Sequence, residues 1–252
     1  MKPLQHARIT AHRYGGEWQD WIALHDWIDR SKMIFPSMQH RMFLHSDFGE
    51  WLTVQIHGEL FEAADGTVIA TRELFRDHQV EDVGRVVPLA EWLREIDEPY
   101  WQCRRPPPRR LEPIRDEPAQ GLATRWGGAP EDYQPLIDFF EMPRAFAPEQ
   151  AEAADLITHN SFGIFLAEEL LGTTLSLTAN GASPSSLIST RSAAEDLVYA
   201  RLGFIPAAGN LAARTRLKRW MCGSEVFGAL RVRQRGASLP SKIVRGISEG
   251  TQ

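Results

Sequence analysis

A chain of 252 residues, 43% of them hydrophobic and 24% charged, can bury a sizeable core, which excludes a disordered or fibrous protein. Its net charge of −5 is unevenly spread: residues 1–102 carry 17 acidic and 10 basic side chains, whereas residues 214–252 carry 2 and 9. No apolar run approaches the ~18–20 residues that span a bilayer, the opening MKPLQHARIT lacks a signal peptide's apolar stretch, and two cysteines are too few for a sulfur cage around zinc. A cytoplasmic protein with reduced thiols and no membrane contact is expected.

After a short lead ending at Gly15-Gly16, the spacing of Trp18, Trp21, Ile22, His25 and Ile28 predicts a helix from Glu17 to Lys32. A second helix is predicted from Pro36 or Ser37 to about Ile56. Gly49 inside it costs about 1 kcal/mol against alanine, so another backbone is expected to pack close there. Asp65-Gly66 signals a tight hairpin turn with Thr67–Thr71 as one arm, and a helix from about Leu89 to Ile96 closes the segment. The proline-rich Arg104-Arg-Pro-Pro-Pro-Arg-Arg110 reads as a stiff, extended linker.

Beyond the linker the pattern returns. At an offset of 112, Arg13-Tyr14-Gly15-Gly16 lies over Arg125-Trp126-Gly127-Gly128; at 114, His45-x-x-Phe48-Gly49 lies over His159-x-x-Phe162-Gly163; at 119, Val83-Gly84 lies over Leu202-Gly203. A helix thus starts near Pro130, another runs from about Pro148 to Leu171, a strand covers Thr174–Thr178, Asn180-Gly181 makes the second turn, and a last helix runs from Leu211 to Met221. Trp101-x-Cys103 and Trp220-x-Cys222 are likewise paired by the repeat. The expected fold is mainly α, of the α+β kind: a tandem duplication of a helix-helix-hairpin-helix unit packed as a pseudo-twofold pair, a pseudo-dimer within one chain. Its parts are a His-rich first repeat at 1–102, a linker at 103–116, a degenerate second repeat at 117–222 and a basic tail at 223–252.

Chemistry is concentrated in the first repeat, which holds seven of the eight histidines within its first 78 residues. Opposite His25, His40, His78, Glu81 and Asp82 the second repeat has Ile137, Ala154, Leu197, Ala200 and Arg201. A purely structural polar set would be expected in both halves. His25, Asp29 and Lys32 share one helix face, His40 falls on a neighbouring stripe, and His78-x-x-Glu81-Asp82 adds ligands from beyond the hairpin. Imidazole and carboxylate together suit zinc, iron, nickel or manganese, so His25, Asp29, His40, His78 and Asp82 are the candidate ligands. Lys32 and Arg41 are the candidate catalytic cations, placed to stabilise a negative transition state. His45 is expected instead to make a hydrogen bond within its helix pair, because its counterpart His159 persists in the second repeat. No phosphate-binding glycine loop or Gly-x-Ser-x-Gly elbow occurs.

Gly15-Gly16-x3-Asp20-Trp21, His25-x-Trp27-x-Asp29-x-Ser31-Lys32, His40-Arg41-x3-His45-x3-Gly49, His78-x-x-Glu81-Asp82-Val83-Gly84 and Glu91-Trp92-Leu93 resemble an uncharacterised domain-of-unknown-function family of short bacterial and phage proteins. The resemblance covers about residues 6–102 and departs at Ser46, where that family usually has a second adjacent histidine. It implies a shared fold and polar cluster, and no particular reaction.

Two functions follow as expectations. One is a metal-binding protein, with metal-dependent hydrolysis as the reaction its His/Asp site would support. The other is a non-enzymatic assembly or interaction protein, phage-related in kind, using the duplicated body and a basic tail that contacts an acidic protein or nucleic acid.

Overall fold

A computed structural model describes residues 1–96, 117–178, 186–216, 218 and 220. The proline-rich linker, the Asn180-Gly181 turn, Trp101, both cysteines and the basic tail lie outside them.

Where the sequence pattern predicts only a lead, the chain opens with helix α1 (Pro3–Tyr14). Proline suits its first turn, and Gly15 ends it with φ +99°. Its buried face is His6, Ala7 and Thr10, too polar to register as an amphipathic stripe. Helix α2 (Trp18–Ile28) starts where Asp20 Oδ2 accepts the Glu17 amide at 2.8 Å, and it buries Trp21, Leu24, His25, Trp27 and Ile28. It stops four residues short of the predicted Lys32 end, giving way to a 3-10 turn at Arg30–Met33.

The predicted second helix is in fact broken. Residues Arg41–Leu44 form α3 and Asp47–His57 form α4, with His45 turned out of helical geometry at ψ +56° and Ser46 capping α4 through the Gly49 amide. A Cβ on Gly49 would lie 1.8 Å from the Leu44 carbonyl oxygen. The close backbone predicted at this glycine is therefore the end of the preceding helix.

Strands β1 (Leu60–Glu62) and β2 (Val68–Ala70) pair antiparallel with Phe61 opposite Ile69. Ala63 donates to the Thr67 carbonyl at 2.8 Å, so the connection is a three-residue loop ending at Gly66 (φ +85°) rather than the expected two-residue turn. Helix α5 (Thr71–Val83), which periodicity does not reveal, follows directly, and α6 (Leu89–Leu93) closes the repeat. The buried face of α5 mixes Leu74 and Phe75 with His78, Gln79, Glu81 and Asp82, which hides its 3.6-residue period.

The second half runs through α7 (Pro118–Trp126), a 3-10 turn at Pro130–Tyr133, α8 (Gln134–Glu141), α9 (Pro143–Phe146), α10 (Ala151–Thr158) and α11 (Ser161–Leu171). It continues through β3 (Thr174–Leu177), β4 (Ser186–Ser189), α12 (Thr190–Leu202) and α13 (Ala208–Ala212), the last ending well before the predicted Met221. Small devices recur between halves. Trp21 Nε1 donates to the Gly15 carbonyl at 3.0 Å, and Tyr133 Oη donates to the Gly127 carbonyl at 2.8 Å. Asn160 caps α11 as Ser46 caps α4. The unit is thus richer than helix-helix-hairpin-helix: it has a leading helix, a broken central helix and a long helix after the hairpin.

One buried apolar cluster runs through both halves, with Trp21, Trp27 and Trp92 among its largest members. Burying each such side chain contributes about 1.5–3 kcal/mol or more. Across the junction Phe43 meets Phe162 edge-on at 5.4 Å, Ile96 pairs with Thr215, and Thr215 Oγ1 donates to Met42 Sδ at 2.9 Å. No described helix is long and apolar enough to cross a membrane.

Candidate metal centre

Four segments of the first half deliver buried polar side chains to one place. The end of α2 supplies His25 and Asp29, the break between α3 and α4 supplies His45, α5 supplies His78, Glu81 and Asp82, and α1 lays His6 over them. All seven are at most 7% exposed. The break matters for His45: Trp92 Nε1 donates to its backbone carbonyl at 2.7 Å, an acceptor that a continuous helix would have engaged itself.

Ligand-type atoms of Asp29, His45, His78 and Asp82 all lie within 4.8 Å of one another. His45 Nε2 is 3.5 Å from Asp29 Oδ1 and 3.4 Å from Asp82 Oδ2, and His78 Nε2 is 3.7 Å from each of the same two oxygens. None of these four atoms makes a hydrogen bond among the described residues. Asp82 Oδ2 has one charged neighbour, Arg41 Nη2 at 2.7 Å, and Arg41 Nη1 donates to the Asp82 carbonyl at 3.1 Å. Apart from that ion pair, two carboxylate oxygens and two imidazole nitrogens lie together with no hydrogen bond to any of them among the described residues, a costly arrangement unless a cation joins them.

The surrounding groups hold these four in place. His78 Nδ1 meets His25 Nδ1 at 2.9 Å, and His25 Nε2 meets Thr10 Oγ1 at 2.9 Å. If His78 donates to His25 and His25 to Thr10, the Nε2 of His78 is left as a bare lone pair aimed at the carboxylates. His6 stacks on His78 with ring centroids 3.9 Å apart, its Nδ1 2.6 Å from Glu81 Oε2 and its Nε2 3.3 Å from Asp82 Oδ1. Lys32 Nζ contacts Asp29 Oδ2, and the Met1 backbone nitrogen contacts Asp82 Oδ1.

Burial opposes every charge here, and the neighbours decide which survive. Desolvation pushes His25 down to about 3, with the charge of His6 adding to it, and His40 down to about 2. His78 and His45 are likewise lowered, chiefly by desolvation. Burial alone would raise Asp29 and Asp82, but the imidazoles beside them, with Lys32 at Asp29, hold both carboxyls below the usual range. His6 goes the other way: burial lowers it, yet its bonds and charge interactions with Asp82 and Glu81 raise it above the ordinary histidine value. Asp29 and Asp82 are therefore favoured as carboxylates and His45 and His78 as neutral imidazoles, the protonation states a metal requires, while His6 is favoured in its charged form.

Of the residues singled out from sequence, Asp29, His78 and Asp82 come together. His25 lies beside them with both nitrogens engaged, and it forms a second close group with His6 and His78. His40 stands apart: its Nδ1 meets Ser31 Oγ at 2.9 Å and its ring abuts His45 edge-on. Arg41 is buried against Asp82, and Lys32, with its side chain 33% exposed, sits at the rim. Two members were missed. His45 does not make the hydrogen bond expected of it, because both its ring nitrogens are unpaired among the described residues; His159 Nδ1 does make one, to the Asp155 carbonyl at 2.9 Å. His6 had no sequence signal except the absence of its counterpart, for Pro118 stands at its place in the second half.

The second half keeps the frame and reverses one of the two ion pairs, the other keeping its signs. At the same offsets, Arg41 and Asp82 become Asp155 and Arg201, which pair at 3.0 Å, and Asp29 and Lys32 become Glu141 and Arg144, paired at 2.9 Å. Arg201 stands where a ligand carboxylate would be and Leu197 where the His78 imidazole would be, so only the first half can hold a metal at this place.

A mainly helical protein of two like halves, one with a buried His/Asp cluster able to hold a metal ion, is the class these features define. The chain belongs to a domain-of-unknown-function family, DUF6915, whose model matches it twice, over residues 1–102 and 117–221. The two matches fit a duplication. No curated protein and no solved structure matches the chain.

Proposed function

We propose that the first repeat is a metal-binding module in which Asp29 Oδ1, His45 Nε2, His78 Nε2 and Asp82 Oδ2 hold one divalent transition metal, zinc before iron, nickel or manganese. The observation that carries this reading is the spacing of those four atoms: each imidazole nitrogen lies 3.4–3.7 Å from both carboxylate oxygens, and all four lie within 4.8 Å of one another. Bonds of about 2.0–2.1 Å in a tetrahedron put neighbouring ligands about 3.3–3.4 Å apart, whereas an octahedron of the same bonds puts them nearer 3.0 Å. The ligand set keeps Asp29, His78 and Asp82 from the sequence expectation and adds His45. His25 becomes the residue that orients His78, and His40 stays outside.

Four protein ligands, each at most 4% exposed, favour a closed structural or storage site over hydrolysis, which needs a position open to water. In that reading Arg41 fixes the Asp82 carboxylate and Lys32 guards Asp29, roles in holding the site rather than in a reaction. A hydrolase reading would require Asp29 or Asp82 to give up its position to water. Elemental analysis of untagged protein purified without chelator, beside His45→Ala/His78→Ala, tests the proposal. Near-stoichiometric metal that the variant lacks is expected. Protein that stays metal-free after reconstitution would overturn it and leave the non-enzymatic interaction protein as the better account.

A further inference from the structure

In the second half, the place corresponding to the metal cluster is a cavity of about 210 Å³. The substitutions account for its shape. Pro118 replaces His6, Ile137 replaces His25, Leu197 replaces His78 and Ala200 replaces Glu81, so three imidazoles and a carboxylate give way to apolar walls, with Phe140 behind them. Its polar end is formed by Arg144, Arg201, His159 and Glu141. The space is partly open to solvent at its polar end, and a dry cavity of about 150 Å³ already accepts benzene.

The charges give the space a polarity. Of the charged side chains that line it, two are guanidiniums and one is a carboxylate. Asp155, behind the wall, takes Arg144 at 2.6 and 2.9 Å and Arg201 Nη2 at 3.0 Å. Arg144 is tied further to Glu141 at 2.9 Å, whereas Arg201 has N–H groups beyond the one that Asp155 uses, and its side chain is 52% exposed. His159 turns Nδ1 back to the Asp155 carbonyl and, with its pKa pressed down to about 4 by burial, adds no positive charge near neutrality.

We propose that this cavity is a binding site for a small organic carboxylate of roughly eight or nine non-hydrogen atoms, its apolar body against Ile137, Phe140 and Leu197 and its carboxylate on Arg201. The duplication would then have turned one cluster position into two different sites. The proposal does not depend on metal in the first half, because among the described residues none of that half lines the cavity.

Titration calorimetry of the full chain with benzoate and its neutral isostere benzamide tests it. Saturable benzoate binding at millimolar affinity or tighter is expected, with benzamide weaker. Arg201→Leu should weaken benzoate about tenfold or more and erase its advantage over benzamide. Leu197→Trp, which fills the space, should abolish binding of both, with Ala200→Leu as the gentler replacement if the first variant loses its circular dichroism or cooperative unfolding. Failure of the wild-type chain to bind benzoate, equal loss of both ligands in Arg201→Leu, or undiminished binding in the filled variants would each overturn the proposal.

Discussion

The reversed ion pair makes a sharp prediction about where stability resides. In the first half, Asp82 meets Arg41 Nη2 at 2.7 Å and His6 Nε2 at 3.3 Å, and the side chains of Arg41 and Asp82 are only 3% and 0% exposed. Asp82→Ala would take the buried carboxylate away from Arg41 and His6, and breaking a buried charge pair in this way costs about 3–5 kcal/mol. For a chain of this size each kcal/mol moves the melting temperature by about 2–4 °C, so a drop of roughly 6–20 °C is expected. Arg201→Ala removes the corresponding partner in the second half, but that side chain is 52% exposed and Asp155 keeps both bonds from Arg144. Its cost should stay within about 1 kcal/mol. Urea unfolding followed by circular dichroism, in chelator so that metal plays no part, measures both. Equal costs, or a greater cost for Arg201→Ala, would refute the argument that burial rather than pairing sets the difference. Exchanging both charges in the first half, Arg41→Asp with Asp82→Arg, should recover only part of the loss, because His6 would then face a like charge.

Other outcomes follow from the same geometry. If the metal reading holds, chelator should lower the melting temperature by about 8–16 °C, the effect of removing a ligand present at about a thousand times its Kd, and His45→Ala/His78→Ala should show no response to chelator. In metal-free protein, His25 and His40 have folded pKa values of about 3 and 2, below the ~6.5 of an unfolded histidine, so the unfolded chain binds more protons below pH 6.5. From these two groups alone stability should therefore fall by about 4 kcal/mol between pH 7 and pH 5, with the lowered His45 and His78 adding to the fall. The raised value of His6 opposes this, since its contribution is present below pH 6.5 and fades as pH rises through its folded value; a flat urea midpoint across the range would contradict the assignment. Gly49→Ala forces a Cβ to within 1.8 Å of the Leu44 carbonyl and should cost about 3 kcal/mol or more, whereas Gly58→Ala meets nothing within 4 Å and carries only the strain of φ +83°, about 1–2 kcal/mol. Similar unfolding midpoints for the two glycine variants would count against the close-packed break.

The duplication was legible because aromatic and glycine positions recur at fixed offsets, and those residues do form the shared frame: Trp21 and Tyr133 close the same loop, and Gly49 and Gly163 sit at the same break. Helices α1 and α5 were not legible, since the faces they bury carry histidines, acids and a threonine in place of the apolar stripe that periodicity detects. The break at His45 was hidden for another reason. Apolar spacing continues through it, and only the Ser46 cap with Gly49 three residues later signals a new start. His45 was set aside for a different reason: its counterpart His159 persists in the second half, where its Nδ1 does bond to the Asp155 carbonyl, and that shared identity masks the different settings of the two rings. Loss of the polar set from the second half pointed correctly to the neighbourhood of the cluster, but one dimension could not show which nitrogen faces which oxygen.

The indole of Trp92 gives the cluster a mechanical link to the seam between the halves. It holds the backbone of His45 by one bond, while its ring packs 4.9 Å from Trp220 and its helix lies against α10. Separating the halves would therefore slacken His45, and anything that fixes His45 would resist their separation. If the metal reading holds, the indole proton of Trp92 becomes a natural reporter: its exchange with solvent should slow when the cluster is occupied, because it is bonded to the backbone of a residue that would touch the ion.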